Sequence, residues 1–292
     1  MPARRAVLAG LTSMLAAPSL ALPDPASPRL RRSYVDGPYG QLHVRVAEPT
    51  TRPTGPPVAM LHQSPLSGRM FERILPLLAV DRIAISVDTP GYGESDRPIT
   101  RPSLRGYGDA IIDGLTKEFG PTFDVVGYHT GAAIAAELAA RRPADVRRLV
   151  VISMPFFDAE RRAAMLEQLR QKAPYADDGS HLLPLWASTF KVKPAGQTLD
   201  DVARIVAEKQ RVGPFGEWAL VSAMEVDLTS LLPSVRQPTL VLAPHDGLED
   251  ESVAAARLLS RAKVIPLPRL AYGLFDAAPG DIAPLIHEFL SR

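Results

Sequence analysis

Phe123-Asp-Val-Val-Gly-Tyr-His-Thr-Gly-Ala-Ala-Ile-Ala-Ala-Glu-Leu138 is the stretch from which the rest of the chain is read. Val125 and Val126 form a short apolar run of the kind that fills a buried strand. Gly127 and Gly131 follow four residues apart, and then an Ala-rich helical pattern begins. This order describes a sharp strand-to-helix turn in which glycines let the backbone pass close to itself. The residue between them, His129, stands at the tip of the bend, backed by the positive end of a helix.

Two upstream segments have the same loop-after-strand character: Val58-Ala-Met-Leu-His62-Gln63-Ser64-Pro65, and Asp88-Thr-Pro-Gly91-Tyr-Gly93-Glu-Ser95-Asp96. The Gly91-x-Gly93 pair lacks the third glycine and the following helix of a dinucleotide site, so it reads as a turn. Before these motifs, Ser33 to Val46 reads as a hairpin with its turn at Asp36-Gly37-Pro38. Val58–Leu61, Ile83–Val87, Leu149–Ile152, Thr239–Ala243 and Lys263–Leu267 read as strands. Met70–Leu78, Ser103–Phe119, Ala132–Arg141 and Ile282–Leu290 read as helices. Short Val/Ile/Leu strands separated by helices predict a mainly parallel sheet covered on both faces. From Pro155 to about Leu232 the rhythm changes to helices alone: Asp158–Lys172, Leu199–Val212 and Pro214–Val226. We read residues 155–232 as a helical cap inserted into a core of residues 33–154 and 233–292.

With three motifs in this order, the chain from about Tyr34 onward resembles the α/β-hydrolase superfamily. The resemblance implies an α/β-hydrolase fold, a mainly parallel sheet with helices on both faces and an inserted helical cap. The Gly127-Tyr128-His129-Thr130-Gly131 bend is similar to the family's nucleophile elbow, G-x-S-x-G, with His129 where the serine stands. The family's oxyanion hole corresponds to the backbone N–H groups of Gln63 and Thr130. Its acid position falls on Gly247, with Asp246 one residue early, and its relay-histidine position falls on Tyr272. No histidine lies between His245 and His287, so the usual proton relay is absent.

A free imidazole titrates near neutrality, so a histidine at the elbow is suited to accept a proton without a second base. Three roles for His129 remain open. It acts as general base, oriented by Asp246, on water or on an acidic substrate proton. It serves as base for Ser64 in a relocated Ser64-His129-Asp246 set, or it attacks directly and forms an acyl-imidazole. His62 and Ser64 each have a bland reading as well, His62 hydrogen-bonding beneath the loop and Ser64 capping the turn before Pro65. Tyr272 either donates its phenolic proton or fills the vacated space. Tyr128, Met154, Phe156 and Trp186 are counted with His62 among the residues of an expected apolar pocket, and Trp218 has the same character. A metal site at His62, His129 and His245 has no support in their spacing.

The 33 basic and 32 acidic residues nearly cancel, and no basic stripe interleaved with aromatics marks a nucleic-acid partner. The chain has no cysteine, which excludes disulfides and thiolate chemistry. Arg4-Arg5, the apolar run Ala6–Leu15 and Ser19-Leu20-Ala21 have the build of a twin-arginine signal over residues 1–21, predicting a periplasmic or secreted protein. Residues 22–32 read as a linker. The run is short for a transmembrane span, so no stable membrane insertion is expected. The expectation for function is a cofactor-free enzyme acting on a small apolar ester or lactone. The alternatives are a catalytically silent ligand-binding member of the family, or an enzyme of non-hydrolytic proton transfer or C–C lyase chemistry.

Overall fold

The computed structural model of the protein describes residues 28–171, 175–194 and 197–292. The expected export signal, residues 1–21, lies outside them. The predicted linker does not reach residue 32, because the first strand already begins at Leu30.

Eight strands form one sheet: β1 (Leu30–Gly37), β2 (Gly40–Ala47), β3 (Val58–Leu61), β4 (Ala84–Val87), β5 (Phe123–Tyr128), β6 (Val146–Ile152), β7 (Thr239–Pro244) and β8 (Ala262–Leu267). Their order is β1-β2-β4-β3-β5-β6-β7-β8. The β1/β2 and β2/β4 pairs are antiparallel, and the others are parallel. The hairpin turn sits at Pro38-Tyr39, beyond the predicted Asp36-Gly37-Pro38, because Gly37 and Gly40 still pair.

Burial divides into two cores, one on each face of the sheet. Helices Leu104–Phe119 and Thr130–Arg141 cover one face, where Val125, Ile111 and Ile134 pack. Helices Leu75–Leu78 and Pro279–Leu290 cover the other, against Val126, Val150 and Ile286. Neighbouring residues of β5 therefore serve opposite cores, as a strand's two-residue period requires. Burying each such valine contributes about 1.5–3 kcal/mol.

β3 lies between β4 and β5, so the chain leaves β3 and β5 side by side at the same end of the sheet. A crevice opens at such a switch point. Leu61 pairs with Gly127, which sets the loop after β3 against the bend after β5. A Cβ on Gly131 would stand 2.1 Å from the Leu61 carbonyl oxygen, and one on Gly127 would stand 2.3 Å from that of Gly131. Both glycines are thus required by close backbone approach.

Only helices separate β6 from β7 among the described residues. The predicted helix at residues 70–78 is instead a 3₁₀ turn, Gly68–Phe71, followed by Leu75–Leu78. Pro76 has no N–H to give the Glu72 carbonyl, so one continuous helix cannot form. Helix Leu182–Lys191 had no counterpart in the sequence reading. Pro184 sits in its first turn, where proline is tolerated, and only Thr189 is buried. Predicted helix 214–226 is a 3₁₀ turn, Gly213–Phe215, and helix Trp218–Met224. Among the described residues no helix is long and apolar enough to cross a membrane.

Candidate active site

His129 has φ 49° and ψ −116°, a positive φ that a non-glycine residue adopts only under constraint. Such a geometry costs on the order of 1–3 kcal/mol and persists where the surroundings enforce it. Here the enforcement is visible. The His129 N–H donates to the Ile152 carbonyl at 3.0 Å, and its own carbonyl accepts from Ala132 at 2.8 Å. The bend lifts the ring off the sheet, so that its side chain is 14% exposed and lines a cavity of about 490 Å³.

The ring is held from three directions. Nε2 lies 3.0 Å from Asp246 Oδ2. Tyr128 meets it edge-on at 4.4 Å, and Tyr272 stacks on it at 5.5 Å with an interplanar angle of 21°. Asp246 sits in the loop after β7, and the structure brings it to His129 despite its offset from the family's position. Its Oδ2 also accepts from Ser153 Oγ at 2.5 Å and from the Tyr128 hydroxyl at 3.4 Å, while Oδ1 accepts from the Leu248 N–H at 3.3 Å. Burial alone would push the Asp246 carboxyl up, but the His129 ring, the Ser153 hydroxyl and the Leu248 N–H hold it below its ordinary value. The carboxylate can only accept, so Nε2 carries the proton. Nδ1 is left as the acceptor, with no partner among the described residues.

Ser153 was missed by the sequence reading. It directly follows β6, with φ 54°, the second non-glycine residue at positive φ among those described. The available signal was a polar residue closing an apolar strand whose neighbours end at the crevice. Tyr128 and Tyr272 both have phenols pushed up, first by burial and then by the Asp246 charge, so both keep their protons. Of the two, Tyr272 lines the cavity.

Gln63 and Thr130 line the cavity beside the ring. Thr130 is the first residue of its helix, where a backbone N–H has no intrahelical acceptor. The Gln63 N–H likewise finds no acceptor among the described residues. The other candidates are placed differently. Ser64 reaches the cavity, but among the described residues no hydrogen bond joins it to His129, so the relocated serine set is not assembled. His62 is buried behind the loop. Its Nε2 accepts from the Thr89 N–H and its Nδ1–H donates to the Gln63 carbonyl, both at 2.9 Å. Burial lowers its pKa, and with both nitrogens engaged it has nothing to offer a substrate.

Behind this loop stands Asp88. Its carboxylate accepts from His43 and Arg45 at 2.9 Å each, from the Gly68 N–H at 2.8 Å and from the Glu94 N–H at 2.9 Å. Burial opposes its ionisation, but His43 and Arg45 outweigh it and hold the carboxyl at about 2.

Tyr128, Met154, Phe156 and Trp186, expected to line the pocket, do not reach the cavity wall. Tyr128 and Met154 are fully buried, and Phe156 packs against the core. Nor is the wall apolar. One face of helix Leu199–Arg211 supplies Asp201, Arg204, Ile205, Glu208 and Lys209, at the three- and four-residue spacing of a helical stripe. That spacing was the signal that could have found them. His245 is exposed and pairs with Glu249 at 2.6 Å, so it does not converge with His62 and His129. Among the described residues no group of three metal-ligating side chains forms.

The family model described as alpha/beta hydrolase fold matches residues 56–251. A pimeloyl-[acyl-carrier protein] methyl ester esterase of Chromobacterium violaceum is 37% identical over 100 residues, spanning 34% of this chain and 37% of that one. A fluoroacetate dehalogenase of a Burkholderia species is 28% identical over 82% of this chain and 88% of its own. Among solved structures, an enol-lactonase from Burkholderia xenovorans LB400 superposes with a TM-score of 0.74 at 15% identity, covering 89% of this chain and all of that one.

Proposed function

The chain belongs to the α/β-hydrolase fold family, and on that premise we propose that it is a cofactor-free hydrolase of small esters or lactones that uses His129 as general base. The observation that carries this reading is the 3.0 Å contact between His129 Nε2 and Asp246 Oδ2. It commits the protonated nitrogen to the carboxylate and leaves the other ring nitrogen as the acceptor.

A water molecule beside Nδ1 loses a proton to the ring as its oxygen attacks the substrate carbonyl. The Gln63 and Thr130 N–H groups stabilise the oxyanion, and Asp246 stabilises the imidazolium. Collapse expels the alcohol, which recovers the proton from Nδ1–H. The Tyr272 phenol, still protonated at neutral pH, is a second donor to the same oxygen. Water plus ester gives acid plus alcohol, and the ring ends as it began. An esterase and a dehalogenase among the relatives support a hydrolytic reaction in a cavity of this family.

The test is a panel of activated esters and lactones assayed on the wild type, His129→Ala and Ser64→Ala. Turnover lost in the first variant and kept in the second supports water activation by His129, as does product release without an initial burst. Loss of turnover in Ser64→Ala points to the serine set instead. No turnover of any member of the panel by the wild type favours a silent, ligand-binding protein.

A further inference from the structure

The cavity wall carries charges that the proposed reaction does not use. Five cationic side chains line it: Arg69, Arg73, Lys193, Arg204 and Lys209. The three arginines each face a carboxylate: Arg69 faces Glu208 at 3.7 Å, Arg73 faces Asp276 at 3.8 Å, and Arg204 pairs with Asp201. The remaining lining carboxylate, Glu72, is bound to Arg45 at 3.0 Å. Lys193 differs. Its ammonium donates to the backbone carbonyls of Gln197 at 2.7 Å and Pro194 at 3.4 Å, and no described carboxylate stands within ion-pair distance. An ammonium has three donors and a full charge, so among the described residues one donor is left open and the charge has no counter-ion.

Gln197 adds an independent observation. It also lines the cavity, and its Nε2 is buried with no hydrogen-bond partner. A buried amide donor left open costs on the order of 1–3 kcal/mol, which an acceptor would recover. This nitrogen lies 2.9 Å from where a Cβ on Gly273 would stand. Gly273 follows Tyr272, whose ring stacks on His129. The open donor therefore lies against the residue that follows, in the chain, the ring packed on the proposed base.

We propose that Lys193 and Gln197 form a subsite for a carboxylate, so that the substrate is an ester or lactone bearing a second, anionic group. The proposal rests on the hydrolytic reading for the word substrate, but the anion site stands without it. A carboxylate accepts the free donor of Lys193 and, after rotation of the Gln197 side-chain amide, its Nε2–H as well. The cavity, at about 490 Å³, lies in the range of sites for small molecules of roughly 300–1,000 Å³. The expectation of an apolar substrate gives way to one with a charged end.

The experiment measures binding of glutarate and of its neutral isostere glutaramide by calorimetry. Wild type is expected to bind glutarate about tenfold more tightly than glutaramide, with the preference shrinking as salt is raised. Lys193→Gln should abolish the preference, and Lys193→Arg should keep it. Equal affinity for the two probes in the wild type overturns the proposal, as does an undiminished preference in a folded Lys193→Gln protein. If Lys193→Gln does not fold, the wild-type preference and its salt dependence, with Gln197→Leu as second variant, decide it. A protein that prefers glutarate but hydrolyses no ester refutes the proposed reaction alone.

Discussion

Replacing Asp246 with asparagine removes one charge while leaving the shape of the site in place. Three donors converge on Oδ2, from Ser153, His129 and Tyr128, at 2.5, 3.0 and 3.4 Å. They select the amide oxygen for that position and turn the NH₂ toward the Leu248 N–H, whose 3.3 Å contact is the weaker one to lose. The ring should therefore keep its orientation and its tautomer. What is lost is the attraction between carboxylate and imidazolium when the ring takes its proton from water. At the observed 3.0 Å and an effective dielectric near 20, that attraction is about 5 kcal/mol. The ring is partly exposed and water screens part of the field, so turnover should fall roughly 10²–10⁴-fold. The assay is kcat on an activated ester near neutral pH, alongside thermal unfolding to show that the variant is folded. A folded Asp246→Asn enzyme within about threefold of wild type would falsify the reasoning, because the base would then work without its carboxylate.

Two further outcomes concern the scaffold. Gly131→Ala forces a Cβ to 2.1 Å from a backbone oxygen, so it should destabilise by about 3 kcal/mol or more in urea unfolding. Gly280→Ala, with nothing within 4 Å, should stay within about 0.5 kcal/mol of wild type, and comparable losses at both positions would refute the close-approach argument. Asp88 has a folded pKa of about 2, below its unfolded value, so its stabilisation is present above the unfolded value and is lost as pH falls through the folded one. The stability gap between wild type and Asp88→Asn should narrow by about 2 kcal/mol between pH 6 and pH 2.5, and a pH-independent gap would count against the assignment.

What the sequence by itself determined is local and periodic. The strand–glycine–helix order around His129 and the two-residue alternation and short apolar runs of the strands are set by backbone sterics and by neighbours a few residues away. They marked the fold and the histidine at its bend from residue types alone. The pairing of that histidine was decided by tertiary structure, because Asp246 reaches it across 117 residues and Ser153 reaches Asp246 across 93. Such contacts depend on which strands end side by side, and no local spacing encodes that. The same holds for Ser64, which no hydrogen bond joins to His129 among the described residues, and for His62, enclosed beneath its own loop. The charged cavity wall also belongs to the tertiary structure. A helix stripe of Asp201, Arg204, Glu208 and Lys209 reads as a solvated face until packing sets it over the crevice, since the same polar side chains satisfy water or a cavity equally well.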